Sequence, residues 1–151
     1  MQGNLKMQTP VIQNEFFSHG TIECTNMEAT RDFLCNFLGL NMIRPMKQSQ
    51  YMWKGGPWSV VCVHVEDGEC KDQLIENRFV LAVANTGEVD ASHACAVALK
   101  AQYGIKEIRP PETLNGVRSF KLKDLNNTWW EISSASLAYF DSIFTKGDAV
   151  H

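Results

Sequence analysis

No cysteine pair in this chain has CxxC spacing, and the five cysteines are odd in number. Cys24, Cys35, Cys62, Cys70 and Cys95 fall mostly on apolar positions of the expected elements. They read as reduced thiols used as small hydrophobes, which excludes a disulfide framework and a zinc-cysteine site. No apolar run approaches the roughly 18 residues of a membrane helix, so no membrane is expected as a partner. No face-sized cluster of Lys and Arg occurs, and the formal net charge is −3. Nucleic acid, which needs clustered cations against phosphate, is therefore not an expected partner either. The N-terminus lacks the apolar centre of a secretory signal, so the expected location is cytoplasmic.

What is present is ordinary for a globular protein: 44% hydrophobic and 21% charged. A chain of 151 residues fits one domain, or two small repeated modules that share a core. Its most informative stretch runs from Asn126 to Ser133. The turn-forming pair Asn126-Asn127 feeds Thr128-Trp129-Trp130-Glu131-Ile132-Ser133, a β-branched and aromatic run that reads as a strand. Strand side chains alternate, so Trp129, Glu131 and Ser133 share one face and Trp130 and Ile132 the other. A carboxylate thus sits mid-strand among large apolar groups. Left unpaired in an interior it would cost several kcal/mol, roughly what buried ions lose. Its partner has to be a metal, an arginine or a histidine.

The rest of the chain shows a restart. Residues 1–15 read as an N-terminal arm. Phe16 to Cys24 is a strand, and Thr25-Asn26-Met27-Glu28 has the spacing of a capping box with Thr25 as N-cap. A helix with an apolar stripe follows to about Leu38, terminated by Gly39. Short strands are expected at Asn41–Arg44, stopped by Pro45, at Ser49–Lys54 and at Trp58–Glu66. A charged linker, Asp67 to Glu76, leads to a strand at Arg78–Ala84. A helix capped at Thr86 or a neighbour then runs to Tyr103, ended by Gly104. Strands follow at 105–109, Gly116–Lys123 and Thr128–Ser134. Gly39-Leu40-Asn41-Met42-Ile43-Arg44-Pro45 matches Gly104-Ile105-Lys106-Glu107-Ile108-Arg109-Pro110, each copy ending a helix and starting a strand. The expected fold class is α+β: two βαβββ modules, 17–66 and 77–135, within a domain over 16–135, paired about a pseudo-twofold axis around a shared cleft. Residues 136–151 form a C-terminal extension that begins as a short helix.

This pattern resembles the vicinal oxygen chelate superfamily, which includes glyoxalase I, extradiol dioxygenases and the fosfomycin and bleomycin resistance proteins. Ser18-His19-Gly20-Thr21-Ile22-Glu23-Cys24, followed by Phe33-Leu34-Cys35-Asn36-Phe37-Leu38-Gly39-Leu40, is similar to the opening motif of that family. Ser119 through Asp124 and Asn126-Asn127-Thr128-Trp129-Trp130-Glu131-Ile132 is similar to its closing motif. The resemblance covers about residues 16–134. It implies a cleft in which each module offers ligand positions on its first and last strands to a divalent metal (Zn, Fe, Mn or Ni). His19 and Glu131 match two of those positions. The position matching His19 in the second module is Arg78, which stays protonated and does not ligate. On the last strand of the first module Val61 matches Glu131, and His64 would need a bulge to turn inward.

On that reading His19, Glu131 and His64 are the metal candidates. Glu131 and Glu23 are the candidate catalytic carboxylates, and Arg78, Trp129, Thr21, Tyr51 and Trp53 the candidate substrate contacts. Alternatives stay open residue by residue. His19 could be a cleft histidine bonded to a neighbour, Glu131 the counter-ion of Arg78, Glu23 an exposed strand-end residue, and the aromatics core packing. Arg78 could hold an anionic substrate bidentately. His93 reads as structural. The leading expectation is a metal-dependent enzyme of glyoxalase or dioxygenase type acting on a small oxygenated substrate. The alternative is a metal-free, small-molecule sequestering protein of the bleomycin-resistance kind, and a third class is a regulatory module with an unused cleft. A homodimer is expected, with the arm and the apolar 137–144 segment as contact material.

Overall fold

The computed structural model describes residues 10–55, 59–66 and 68–148. The first nine residues of the arm, the turn leading into Trp58, the first linker residue Asp67 and His151 lie outside the described residues. The first module consists of β1 (His19–Cys24), α1 (Met27–Asp32), a π-helical turn (Phe33–Phe37), β2 (Asn41–Met46), β3 (Ser49–Trp53) and β4 (Ser59–His64). The second consists of β5 (Arg78–Ala82), α2 (Thr86–Ala98), α3 (Lys100–Tyr103), β6 (Glu107–Ile108), β7 (Glu112–Leu114), β8 (Val117–Lys123) and β9 (Trp129–Ser133). A last helix, α4 (Leu137–Lys146), follows. The α+β class and the paired modules are as the sequence implies.

Local chemistry sets the boundaries. The expected Thr25 cap is replaced by Asn26, whose Oδ1 accepts from Ala29 N–H at 2.9 Å. Asn85, the neighbour of Thr86, does the same for α2, accepting from Glu88 N–H at 2.9 Å. Asparagine is at least as good an N-cap as threonine, and its longer side chain reaches the third amide. Pro45 does not stop β2. That strand is at the edge of its sheet, and a register break between Ile43 and Met46 absorbs the missing donor. Gly39 and Gly104 both adopt positive φ, 73° and 65°, as the helix terminators of a duplicated unit should. The sequence reading missed β7, which closes on β8 through Asn115-Gly116, both at positive φ as a tight hairpin turn requires.

The first sheet has strand order β1-β4-β3-β2 and the second β5-β9-β8-β6, with β7 attached to β8. In each, the first strand runs parallel to the last and the remaining pairs are antiparallel. Ile22, Cys24, Met52, Val60 and Cys62 of the first sheet form one cluster with Phe120, Leu122, Trp130 and Ile132 of the second, together with Phe33, Leu34, Val89 and Ala96 from the helical segments. A single core thus takes one face of each sheet. The opposite faces carry the polar alternates of the same strands.

The halves are also joined by polar contacts. Asn126 Nδ2 donates to Thr30 Oγ1 at 2.9 Å, Asn127 Nδ2 to the Cys70 carbonyl at 2.6 Å, and Trp129 Nε1 to the Gln73 carbonyl at 3.0 Å. The linker and α1 are thereby fixed to the β8–β9 hairpin. All five cysteines are free thiols; Cys24, Cys62 and Cys70 are buried, in keeping with their reading as small hydrophobes.

Candidate functional site

The β8–β9 hairpin is held by a buried carboxylate that the sequence reading did not single out. Asp124 Oδ1 accepts from the N–H groups of Asn126 and Thr128 at 2.8 and 3.0 Å, and Oδ2 accepts from Trp130 Nε1 at 2.9 Å. Burial raises its pKa above the ordinary value, against the opposing pull of these three donors. Asn127, at φ 65°, makes the left-handed step of the turn. The hairpin therefore folds back symmetrically about Asn126. Lys123 falls opposite Trp129, and Lys121 opposite Glu131.

Cross-strand register gives the open face of each sheet. In the first sheet one row reads His19, Ser59, Trp53, Asn41, and the next Thr21, Val61, Tyr51, Ile43. In the second sheet the matching rows read Arg78, Trp129, Lys123, Glu107, and Val80, Glu131, Lys121. Arg78 thus occupies the position equivalent to His19, and Val61 that equivalent to Glu131, as the aligned strands imply.

Glu131 has its partners within the second sheet. Its Oε1 lies 3.4 Å from Arg78 Nε and 3.2 Å from Lys121 Nζ, and its side chain is 13% exposed. Two charge-assisted contacts answer the mid-strand carboxylate. Lys121 also reaches Glu112 Oε1 at 3.3 Å. Lys121 was missed in the sequence, although strict polar-apolar alternation in Ser119-Phe120-Lys121-Leu122-Lys123 and the hairpin turn together place it opposite Glu131. A cavity of about 430 Å³ opens over this group, lined by Arg78, Val80, Lys121, Glu131, Tyr139 and Phe140 among others.

Thr21 and Glu23 line a different cavity, about 370 Å³, between β1, the linker and β5. There Glu23 Oε2 accepts from Lys71 N–H at 3.4 Å. Arg78 borders both cavities. Trp53 borders a third, smaller one with Leu40 and Val80. Tyr51 is half-buried in the row of Thr21. Trp129 is buried, its ring centroid 5.7 Å from the Arg109 guanidinium and 5.9 Å from Lys123 Nζ, so two cations lie against its ring. Lys123 is itself paired with Asp72.

His19 is exposed on the first sheet, with Nδ1 2.9 Å from Ser18 Oγ. His64 is not turned inward: β4 pairs with β1 and β3 without a register break, and the His64 ring donates from Nε2 to the Thr25 carbonyl at 3.1 Å. With no bulge, strand alternation keeps it away from Glu131. His93 packs edge-on against Phe120, its centroid 5.2 Å away.

No family model matches this chain, and no curated protein matches it. Solved structures do. The fosfomycin resistance protein FosX of Listeria monocytogenes superposes with TM-score 0.65 at 19% identity, over 83% of this chain and 98% of that one. A variant of the same protein, complexed with Mn(II) and 1S,2S-dihydroxypropylphosphonic acid, gives 0.63 at 17% identity, over 83% and 94%. Lactoylglutathione lyase of Agrobacterium tumefaciens gives 0.58 at 14% identity, over 81% and 95%. This chain shares the fold of these proteins.

Among the described residues the donor set of a divalent metal does not come together within one chain. His19 and Glu131 stand on separate sheets, Arg78 holds the second-module counterpart of the His19 slot, and two cations contact the one carboxylate. Among the described residues no three His, Cys, Asp or Glu side chains converge as a metal site. A guanidinium and an ammonium beside Glu131 repel a cation rather than hold one.

Proposed function

We propose that this protein binds a small molecule in the Glu131 cleft without a resident metal, in the manner of the sequestering members of its fold. The observation that carries the reading is the convergence of Arg78 and Lys121 on Glu131 Oε1. In a metal-dependent relative a carboxylate at this strand position would face a divalent ion. Here fixed organic cations supply the positive charge, so the cleft can orient a polar ligand through Arg78, Lys121 and Glu131 directly. Arg78 is the substrate anchor, and Thr21 and Glu23 contribute to the adjoining cavity.

The metal-dependent enzyme reading is favoured by one observation, the FosX variant solved with Mn(II) and a phosphonate at 17% identity. For this chain it would require His19 and Glu131 to share an ion in spite of Arg78. A thermal-shift screen of small polar compounds in EDTA, repeated with added Mn(II), Zn(II) and Fe(II), separates the two. Ligands that raise Tm in EDTA support metal-free binding, and shifts that need a metal in every case reverse the conclusion.

A homodimer forms part of this proposal. Among the described residues β1 and β5 each end their sheet with one strand neighbour, and Ile43 and Trp53 on the open face of the first sheet are exposed. A second copy would cover these edges and faces. Sedimentation equilibrium tests it, with a monomer at micromolar concentration counting against it.

A further inference from the structure

The helix that closes the Glu131 cavity lies outside both modules. α4 contributes Tyr139 and Phe140 to the lining, beside Val80 and Leu114. All four are exposed, Leu114 at 73% and Val80 at 45%. Large apolar side chains therefore stand in water around a charged floor, an arrangement suited to a ligand with one polar end and one apolar end. α4 has ten residues and buries none of them. A helix of that length gains little from propensity alone, so contacts that tie it down matter.

The floor sets the charge of the ligand. Arg78 and Lys121 converge on one oxygen of Glu131, and the second partner of Lys121 is Glu112, whose side chain is 69% exposed on the three-residue strand β7. Exposed ion pairs of that kind contribute little and exchange readily. When Glu112 swings to solvent, two cations face one carboxylate and a single negative charge is missing. A planar carboxylate fits between a guanidinium and an ammonium.

We infer that the cavity takes a small monocarboxylate with an aryl or short alkyl body, the acid held by Arg78 and Lys121 and the body selected by Tyr139 and Phe140 of α4. The inference rests on the metal-free reading of the same cleft. At about 430 Å³ the cavity suits a compact ligand.

The test is titration calorimetry on the full chain in EDTA, with phenylacetate, phenylacetamide and acetate as probes. Phenylacetate is expected to bind at least about 10-fold more tightly than phenylacetamide, the effect of one charge-assisted anchor. Arg78→Met and Lys121→Met should each abolish that preference. Phe140→Ala should weaken phenylacetate while leaving acetate unchanged. Hydrogen exchange should show α4 amides protected on phenylacetate binding, a readout that does not depend on any variant folding. Equal affinity for phenylacetate and phenylacetamide overturns the proposal. Phenylacetate silent in EDTA while neutral compounds bind there overturns this inference alone and leaves the metal-free reading standing. Binding of phenylacetate that appears only with Mn(II) overturns both.

Discussion

Across the open face of the first sheet, one row reads Thr21, Val61, Tyr51 and Ile43; the equivalent row of the second reads Val80, Glu131 and Lys121. The neighbouring rows set His19 against Arg78. The strand order, the parallel closing pair, the asparagine N-caps and the glycine helix stops are shared. The duplicated scaffold thus fixes where side chains project, and substitution at those positions decides what they do. One half offers a face with an exposed histidine, a central row of uncharged side chains and Glu23 at the far end of β1. The other concentrates a carboxylate and two cations. Glu131 is tolerated half-buried because Arg78 and Lys121 were placed beside it, and the first module has no such cations in its row.

That difference can be broken in order of expected effect. Val61→Glu puts a carboxylate at the equivalent position of the first sheet, where Val61 is buried and its row is without cations. It should cost about 3 kcal/mol or more of stability, measured by urea unfolding. The reverse exchange, Glu131→Val, leaves two cations with other partners and partial solvent access, and should cost only about 1 kcal/mol. Equal costs for the two would contradict the account. Between them lies Asp124→Ala, which strands Trp130 Nε1 and two backbone amides and should cost about 2–3 kcal/mol. The second module has this device in its closing hairpin; the loop leading into β4 falls largely outside the described residues.

Asp124 also carries a pH signature. Burial raises its folded pKa above 3.8, so between that value and the raised one the folded state binds more protons than the unfolded. Its contribution to stability is therefore greatest at low pH and declines as pH rises through that window. Comparing wild type with Asp124→Asn across the acidic range should show the decline in wild type alone. The smallest effect belongs to the exposed Arg44–Glu28 pair at 3.2 Å, 85% exposed on the glutamate side. Glu28→Ala should change stability by less than about 0.5 kcal/mol in the same unfolding assay.

The duplication was legible because glycine stops and strand alternation are local signals. The Gly39 and Gly104 segments show the repeat, and the alignment of the two first strands, His19–Cys24 with Arg78–Val83, makes Arg78 the His19 counterpart. Legibility ended where a neighbour in space decides the outcome. Asn26 displaced Thr25 as cap because its reach, not its rank in a motif, satisfied the amide of Ala29. Pro45 stayed in β2 because the strand lies at an edge, which no local pattern reveals. Trp129 reads as a pocket wall from alternation, yet Arg109 and Lys123 cover its ring. Lys121 was the instructive omission. Its pairing follows from the hairpin, but a lysine in an alternating strand reads as solvated surface until the carboxylate opposite is noticed.

The central claim is that organic cations, not a metal, are the partners of Glu131. Calorimetric titration of Mn(II), Zn(II) and Fe(II) into the full chain, wild type and Arg78→His, tests it most directly. Arg78→His removes the guanidinium and supplies a donor in the slot that pairs with the carboxylate. The account predicts no stoichiometric binding in wild type and a gain of binding in the variant. Tight binding near one ion per chain in wild type, lost in Glu131→Ala, would contradict it.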